Sequence, residues 1–194
     1  MVHIRYPEDI GYRINNSHRI TMNAYVSVGS NIHPEDNIKS ALTMLRRQVT
    51  ITGISTFYRT KPLLGRRQAD YLNGVWQIQV SMTAQDLTFK ILKQIEMDLH
   101  RIKTADRYTS RTIDLDLLLY GDHILKDRDI TIPNQDIYTR PFIAFPLFEL
   151  DPNLTLPDTN TPISILLNSL SKEDLRPDIR FTEQLRNKVY RCQS

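Results

Sequence analysis

The sequence contains a single cysteine, Cys192, so no disulfide can close within the chain and a reducing compartment is expected. Cys192 lies close to the end of the sequence, a poor place to hold a nucleophile rigid. Glycine is scarce too. The six glycines are scattered singly at Gly11, Gly29, Gly53, Gly65, Gly74 and Gly121, which leaves no P-loop and no Gly-x-Gly-x-x-Gly turn. A nucleotide, if bound, must therefore be held by side chains and metal ions. The histidines His3, His18, His33, His100 and His123 show no zinc-ligand spacing, and there is no nucleophile elbow. No apolar run approaches the ~20 residues of a membrane span. Met1 to Ile20 lacks the apolar core of a signal peptide, so a cytoplasmic location is expected. No block of like charge stands out, although the net charge is +3 and the pI about 9.0. That argues against tracking along a nucleic acid and leaves an anionic small molecule as a user of the charge.

What is present suits a globular domain: 40% hydrophobic and 24% charged residues. After a polar segment, residues 1–21, the run Ala24-Tyr25-Val26-Ser27-Val28 reads as a strand ended by Gly29-Ser30-Asn31. From Pro34, with Glu35 and Asp36 behind it, Ile38, Ala41, Leu42 and Leu45 fall at helical spacing, with Arg46 and Arg47 in the last turn. Val49 to Tyr58 is β-branched and aromatic, a strand signal. Trp76, Ile78, Val80 and Met82 alternate with polar residues as a half-buried strand does. Thr83 and Asp86 form a capping-box-like pair before Leu87, Ile91, Ile95 and Leu99, which predict a long helix. Ile113, Leu115, Leu117 and Leu119 then alternate with Asp114, Asp116, Leu118 and Tyr120. This order predicts an α+β fold with a ferredoxin-like βαββαβ core, a mainly antiparallel sheet with helices on one face, and a C-terminal extension. Phe142 to Leu150 is strongly apolar and is expected to pack on the sheet. The chain after Asp151 should be irregular, with short helices near 163–170 and 181–190.

The sharpest local feature is Arg111-Thr112-Ile113-Asp114-Leu115-Asp116. On a strand, Asp114 and Asp116 share one face, ~6.6 Å apart at the backbone. Carboxylates so spaced can converge on metal ions ~3.5–4 Å apart, as in two-metal phosphoryl transfer. A solvated outer face is the alternative reading of a bare Asp-x-Asp. Arg101 and Arg111, with Lys103 and Arg107 between them, could be simple ion-pair partners or could neutralise a phosphate.

The segment from Arg101 to Gly121, and within it Arg111-Thr112-Ile113-Asp114-Leu115-Asp116-Leu117-Leu118-Leu119-Tyr120-Gly121, resembles the signature of the hydroxymethyl-dihydropterin pyrophosphokinases. So do Tyr25 to Asn31, Phe57-Tyr58-Arg59-Thr60, Asp70-Tyr71-Leu72-Asn73, Ile132-Pro133, Arg140-Pro141-Phe142 and Pro146-Leu147-Phe148-Glu149, in that order. The likeness runs over about residues 24–157 of a domain spanning 22–194. It implies an enzyme that moves the diphosphate of ATP onto 6-hydroxymethyl-7,8-dihydropterin, releasing AMP, in tetrahydrofolate synthesis. It implies two magnesium ions on Asp114 and Asp116, with Arg101 and Arg111 on the phosphates. For the pterin it implies Tyr71 and Phe142 as a sandwich, Asn73 on the polar edge, and Gly29, Thr60 and Leu63 completing the pocket. For the nucleotide it implies Glu96, Arg101, Lys103, Tyr108, Arg111, Leu117, Thr131, Asn134, Gln135 and Arg140. A monomer binding ATP and a reduced pterin alcohol, with no nucleic-acid or membrane partner, is the corresponding expectation.

The sequence departs from that pattern in two places. Asn134 and Gln135 stand where the family usually has histidine followed by tyrosine or arginine, and His100 stands where glycine is common. Those departures keep open a divergent relative with another substrate or without turnover. A ferredoxin-like RNA- or protein-binding module is the reading from another class, although no strand has the aromatic-rich RNA-binding signature. Removing one aspartate of the pair is expected to leave the fold intact, because it relieves like-charge repulsion. Residues before Met22 are expected to be dispensable: a chain begun at Met22 should unfold cooperatively by circular dichroism, and an insoluble or unstructured product would refute this.

Overall fold

The structure, a computed structural model, describes residues 21–62, 66–102, 104, 106 and 108–190. The polar segment before Thr21, together with Leu63, Lys103, Arg107 and Cys192, lies outside the described residues. The first strand, β1 (Met22–Ser30), is followed by α1 (Pro34–Leu45), β2 (Thr50–Ile54), β3 (Tyr58–Thr60) and β4 (Tyr71–Val80). A helical run then begins as α2 (Ala84–Asp86), widens into a π-helical turn over Leu87–Leu92, and ends as α3 (Lys93–Asp98). It leads into β5 (Asp114–Tyr120). The sheet is antiparallel throughout. β1 lies between β4 and β5, and β2 and β3 share the far edge of β4. This is the expected split βαβ arrangement.

The reason for each element is local. Pro34 opens α1, Glu35 and Asp36 sit in its first turn, and its buried residues are the expected Ile38, Ala41, Leu42 and Leu45. Thr83 caps α2 by accepting from the Asp86 amide at 3.1 Å. The expected strand from Val49 to Tyr58 is split. β2 ends at Ile54, and the chain turns Phe57 over β4, where Gly74 makes room: a Cβ there would stand 2.8 Å from the Phe57 ring.

Two periodicities shift phase. In the second helix the buried residues are Ala84, Leu87, Thr88, Leu92, Ile95 and Glu96. The π turn inserts a residue between Leu87 and Leu92, so Leu92 goes under the sheet, Ile91 moves to the flank, and Glu96 rotates inward. In β5 a bulge opposite Tyr25 and Val26 resets the alternation after Leu117. Leu118 and Leu119 both pack in the Tyr25–Val75 cluster, and Tyr120 joins Leu115 and Leu117 on the opposite side.

The main core lies between the sheet and α1 with α2–α3. A hairpin of β6 (Leu125–Lys126) and β7 (Thr131–Ile132), whose Leu125 and Ile132 pack with the main core, leads to a 3-10 turn (Gln135–Tyr138) and α4 (Pro141–Leu150) on the opposite face. α4 packs Ile143 and Leu147 against Tyr25, Val75 and Leu118. It covers only part of that face, and the rest forms a cleft.

The C-terminal part is tied into both walls. A hairpin of β8 (Thr155–Leu156) and β9 (Thr161–Pro162), with α5 (Ile163–Leu167), packs under α4. β10 (Arg176–Pro177) pairs with β3 and closes its open edge. α6 (Ile179–Tyr190) then enters the main core through Phe181, Leu185 and Val189. Phe181 meets Phe57 edge-on at 5.5 Å between centroids, and the Phe57 amide donates to Thr182 Oγ1 at 2.9 Å. Among the described residues no helix is long and apolar enough to cross a membrane. Phe181 is fully buried, so Phe181→Ala is expected to cost about 3–5 kcal/mol in a chemical-denaturation measurement. A change below about 1 kcal/mol would mean that α6 is only loosely docked.

Candidate active site

The cleft has a volume of about 410 Å³ and opens on the sheet face that α4 leaves bare. Its floor follows from strand register. Gly29 of β1 stands opposite Asn73 of β4 and Asp114 of β5, and Ser27 stands opposite Asp116. A Cβ on Gly29 would lie 2.7 Å from Asn73 Oδ1, so the glycine lets the amide of Asn73 lie across the floor. Asn73 is buried and donates from Nδ2 to Thr60 Oγ1 at 2.8 Å. Tyr71 and Phe142, both half-buried, line the same end, one from β4 and one from the first turn of α4.

The other end is a network of three carboxylates and three cations. Lys93 donates to Glu96 Oε1 at 2.8 Å, to the Leu115 carbonyl at 2.9 Å and to Asp116 Oδ1 at 3.0 Å. Glu96 is 1% exposed, and its Oε1 also accepts from the Leu115 amide at 2.8 Å and pairs with Arg101 Nη1 at 2.5 Å. Arg101 and Arg111 both pair with Asp114. The geometry of Arg101 comes from a helix cap. His100 adopts the left-handed conformation at φ 56°, its amide donates to Met97, and the Arg101 amide reaches back to Glu96 at 2.9 Å. That is a Schellman motif, which turns Arg101 back over the helix end. The positive φ also accounts physically for glycine being a natural occupant of position 100.

Charge in this network is balanced but crowded. Burial and the neighbouring Asp116 push the Asp114 carboxyl upward, and Arg101, Arg111 and Lys93 pull against them. Burial works to lower Lys93, but Asp116 and Glu96 outweigh it and hold the ammonium above its ordinary value. Arg111 is raised in the same way: burial opposes its charge and Asp114 restores it.

A second buried amide fixes the loop. Asn31 Oδ1 accepts from the Arg111 amide at 2.8 Å, while Asn31 Nδ2 donates to Ser110 Oγ at 3.2 Å and to the Ala69 carbonyl at 3.4 Å. Gln68 Nε2 holds the Tyr108 carbonyl at 3.0 Å, and Tyr71 donates to the Thr109 carbonyl at 3.4 Å. The end of the loop before β4 and the end of the loop before β5 thus meet over the cleft.

Most of the residues singled out in the sequence meet here. Gly29, Thr60, Tyr71, Asn73 and Phe142 line one end, and Arg101, Tyr108, Arg111, Asp114 and Asp116 line the other. Asn134 and Arg140 border the cleft beneath α4. The Asn134 oxygen caps the 3-10 turn by accepting from the Asp136 amide at 2.9 Å. Glu96 lies behind the cleft, beneath Arg101 and Asp114. Leu117 is buried in the main core on the opposite side of the sheet, and Thr131 and Gln135 do not line the cleft; Gln135 is exposed on the 3-10 turn. Leu63 and Lys103 fall outside the described residues.

Lys93 and Asn31 were not singled out in the sequence. Lys93 carries a weak signal, a charged pair with Glu96 between the apolar Leu92, Ile95 and Leu99. Asn31 looks like any turn residue, and its role depends on contacts 80 residues away.

Glu96, Asp114 and Asp116 each offer a carboxylate oxygen within 4.8 Å of the others. Glu96 Oε2 and Asp114 Oδ1 are buried and make no hydrogen bond, although Asp114 is ion-paired. An all-oxygen anionic set with unused acceptors fits a hard divalent cation.

Residues 25–152 match the family model of 7,8-dihydro-6-hydroxymethylpterin-pyrophosphokinase (HPPK). A Haemophilus influenzae protein named 2-amino-4-hydroxy-6-hydroxymethyldihydropteridine pyrophosphokinase is 35% identical over 139 residues, covering 70% of this chain and 86% of that protein. The folic acid synthesis protein fol1 of Schizosaccharomyces pombe is 35% identical over 156 residues, covering 79% of this chain; the match spans only 21% of that longer protein. Among solved structures, the wild-type HPPK-DHPS of Plasmodium falciparum with SDX-DHP superposes with a TM-score of 0.62 at 12% identity, covering 88% of this chain and 47% of that one. That likeness supports the fold. The matched segment runs from within β1 to the end of α4 and so includes the residues that line the cleft, and the chain belongs to the 7,8-dihydro-6-hydroxymethylpterin-pyrophosphokinase family.

Proposed function

We propose that this chain transfers the diphosphate of ATP to the hydroxyl of 6-hydroxymethyl-7,8-dihydropterin, giving AMP and the pterin diphosphate, a step of tetrahydrofolate synthesis. The observation that carries this reading is the meeting, in one cleft, of an acidic pair flanked by two arginines with a buried amide and two aromatic side chains. The first end suits a triphosphate and the second a flat, polar-edged ring.

In this reading Tyr71 and Phe142 flank the pterin, and Asn73, aligned by Thr60, meets its hydrogen-bonding edge. Buried amides that are already oriented discriminate strongly, because a wrong ring leaves them unpaired. The pterin oxygen forms a bond to the β-phosphorus, the bond from that phosphorus to the α–β bridging oxygen breaks, and AMP leaves with that oxygen. The hydroxyl proton passes to solvent or to a nearby carboxylate. No covalent enzyme intermediate is needed, since positioning and charge stabilisation carry this class of transfer. Arg101 and Arg111 exchange Asp114 for phosphate oxygens as the nucleotide enters. Asp114, freed of the arginines, and Asp116 would hold magnesium, with two ions expected, and the metal would supply neutralisation of the phosphate charge. Tyr108, on the segment held by Gln68, covers the cleft and helps exclude water. Asn134, Arg140 and Glu96 serve the nucleotide side, Glu96 by holding Arg101.

The direct test is the product. AMP should accumulate from ATP only when the pterin alcohol and magnesium are both present, and ADP as the nucleotide product would sink the assignment. The two aspartates should differ in stability. Asp116 is 45% exposed and Asp114 is 19% exposed with two guanidinium partners. Asp116→Ala should lose AMP release and keep its melting temperature. Asp114→Ala should lose both, with a stability cost of about 3 kcal/mol, because it strands buried cations. The expectation that either aspartate could be removed without structural cost is thus kept for Asp116 alone. Gly29→Ala would press a methyl onto Asn73. It should raise KM for the pterin about tenfold, the scale of one or two hydrogen bonds, and leave KM for ATP unchanged. Equal rises in both would mean that Gly29 shapes the whole sheet instead of the pterin end.

A further inference from the structure

Of the three cations in the charge network, Lys93 is the one that does not line the cleft. Its ammonium is enclosed behind β5 and makes three bonds, to Glu96, to the Leu115 carbonyl and to Asp116. The bonds to Leu115 and Asp116 tie α3 to β5 and the bond to Glu96 lies within α3, so the ammonium is held from both sides. Arg101 and Arg111 differ: both face the cleft and can follow an incoming phosphate. Lys93 is fixed, on the inner side of Asp116, where it already occupies one oxygen of a carboxylate that a divalent cation would need.

We propose that Lys93 is a positioning residue that acts as a built-in counter-cation, holding down the affinity of the carboxylate cluster for a bare divalent ion so that metal enters together with the nucleotide. The proposal rests on the reading that Asp114 and Asp116 are metal ligands. Three carboxylates with oxygens within 4.8 Å of one another form a strong anionic trap if left uncompensated. A fixed positive charge about 3 Å from one of them opposes a dication by direct repulsion and by competing for Asp116 Oδ1. Phosphate oxygens reverse the balance. They bring several negative charges, draw Arg101 and Arg111 off Asp114, and complete the coordination shell that magnesium prefers to share with substrate. Lys93 stays in place through that exchange, bonded to Glu96 and Leu115, and keeps Asp116 pointing into the cleft. An ammonium serves this role better than a guanidinium, because it is compact enough to fit between the helix and the strand.

The experiment is a titration of Mn2+ followed by electron paramagnetic resonance and calorimetry at pH 8, with no turnover involved. Wild-type protein should bind Mn2+ weakly alone and much more tightly with a non-hydrolysable ATP analogue. Lys93→Gln keeps hydrogen-bonding capacity for the Leu115 carbonyl and removes the charge. It should bind Mn2+ alone at least about tenfold more tightly than wild type. Lys93→Arg keeps the charge and should remain a weak binder of the bare ion. Unchanged or weaker Mn2+ binding by folded Lys93→Gln would overturn the proposal. If Lys93→Gln does not fold, the wild type decides alone: Mn2+ bound as tightly without the analogue as with it also overturns the proposal. Failure of the wild type to release AMP would count against the proposed activity, while the Mn2+ titration would still report on Lys93.

Discussion

Asp114 holds two guanidinium groups at once, and most of the cleft is arranged to make that possible. A buried carboxylate next to a second carboxylate is costly in a low-dielectric interior unless cations are held in place. Four separate elements supply the solution. The last turns of the second helix present Lys93 and Glu96, its Schellman cap turns Arg101 inward, the loop anchored by Asn31 brings Arg111, and β5 carries the aspartates. The π turn belongs to this arrangement. Without its extra residue, Glu96 would not rotate to the face where it accepts from Leu115 and pairs with Arg101. Every member has a partner of opposite charge, which makes the site self-neutralised.

The opposite end of the cleft depends on packing more than on charge. Its two walls belong to different parts of the fold, Thr60 on the edge strand β3 and Phe142 on α4. The C-terminal segment joins them. Lys172 lies over both the Tyr58 and Phe145 rings, at 5.9 and 5.2 Å. β10 pairs with β3, and Asp178 accepts from Arg59 Nε at 2.9 Å and takes its Nη2 at 2.7 Å. Glu149, near the end of α4, accepts from the Tyr58 hydroxyl and from the Thr56 amide at 2.8 Å. Residues after the family match, which ends at 152, therefore brace the walls of the pocket.

Much of this was legible in the sequence where one period or one short motif decides the outcome. The helix of Ile38, Ala41, Leu42 and Leu45, the alternation from Trp76 to Val80 and the Asp114–Asp116 pair on one face all follow from local stereochemistry. The strand order follows from the sequence of elements, because the split βαβ crossover leaves few alternatives. Tyr71, Asn73 and Phe142, which meet at one end of the cleft, were legible only as a group, through resemblance. Taken singly, each is an ordinary core or turn residue.

What the sequence could not decide was phase and partnership. The π turn and the bulge opposite Tyr25 each add one residue to a regular repeat, and the choice to add it depends on how a helix or strand fits its neighbour. Lys93 and Asn31 gained their roles the same way. A lysine on a helix and an asparagine in a turn are ordinarily solvated, and only tertiary packing puts Lys93 against Asp116 and Asn31 beneath Arg111. Local sequence determined which residues could carry charge, turn the chain or fill the core. Tertiary structure decided which of them met, because bringing opposite charges together out of water requires surfaces distant in the chain to close around them.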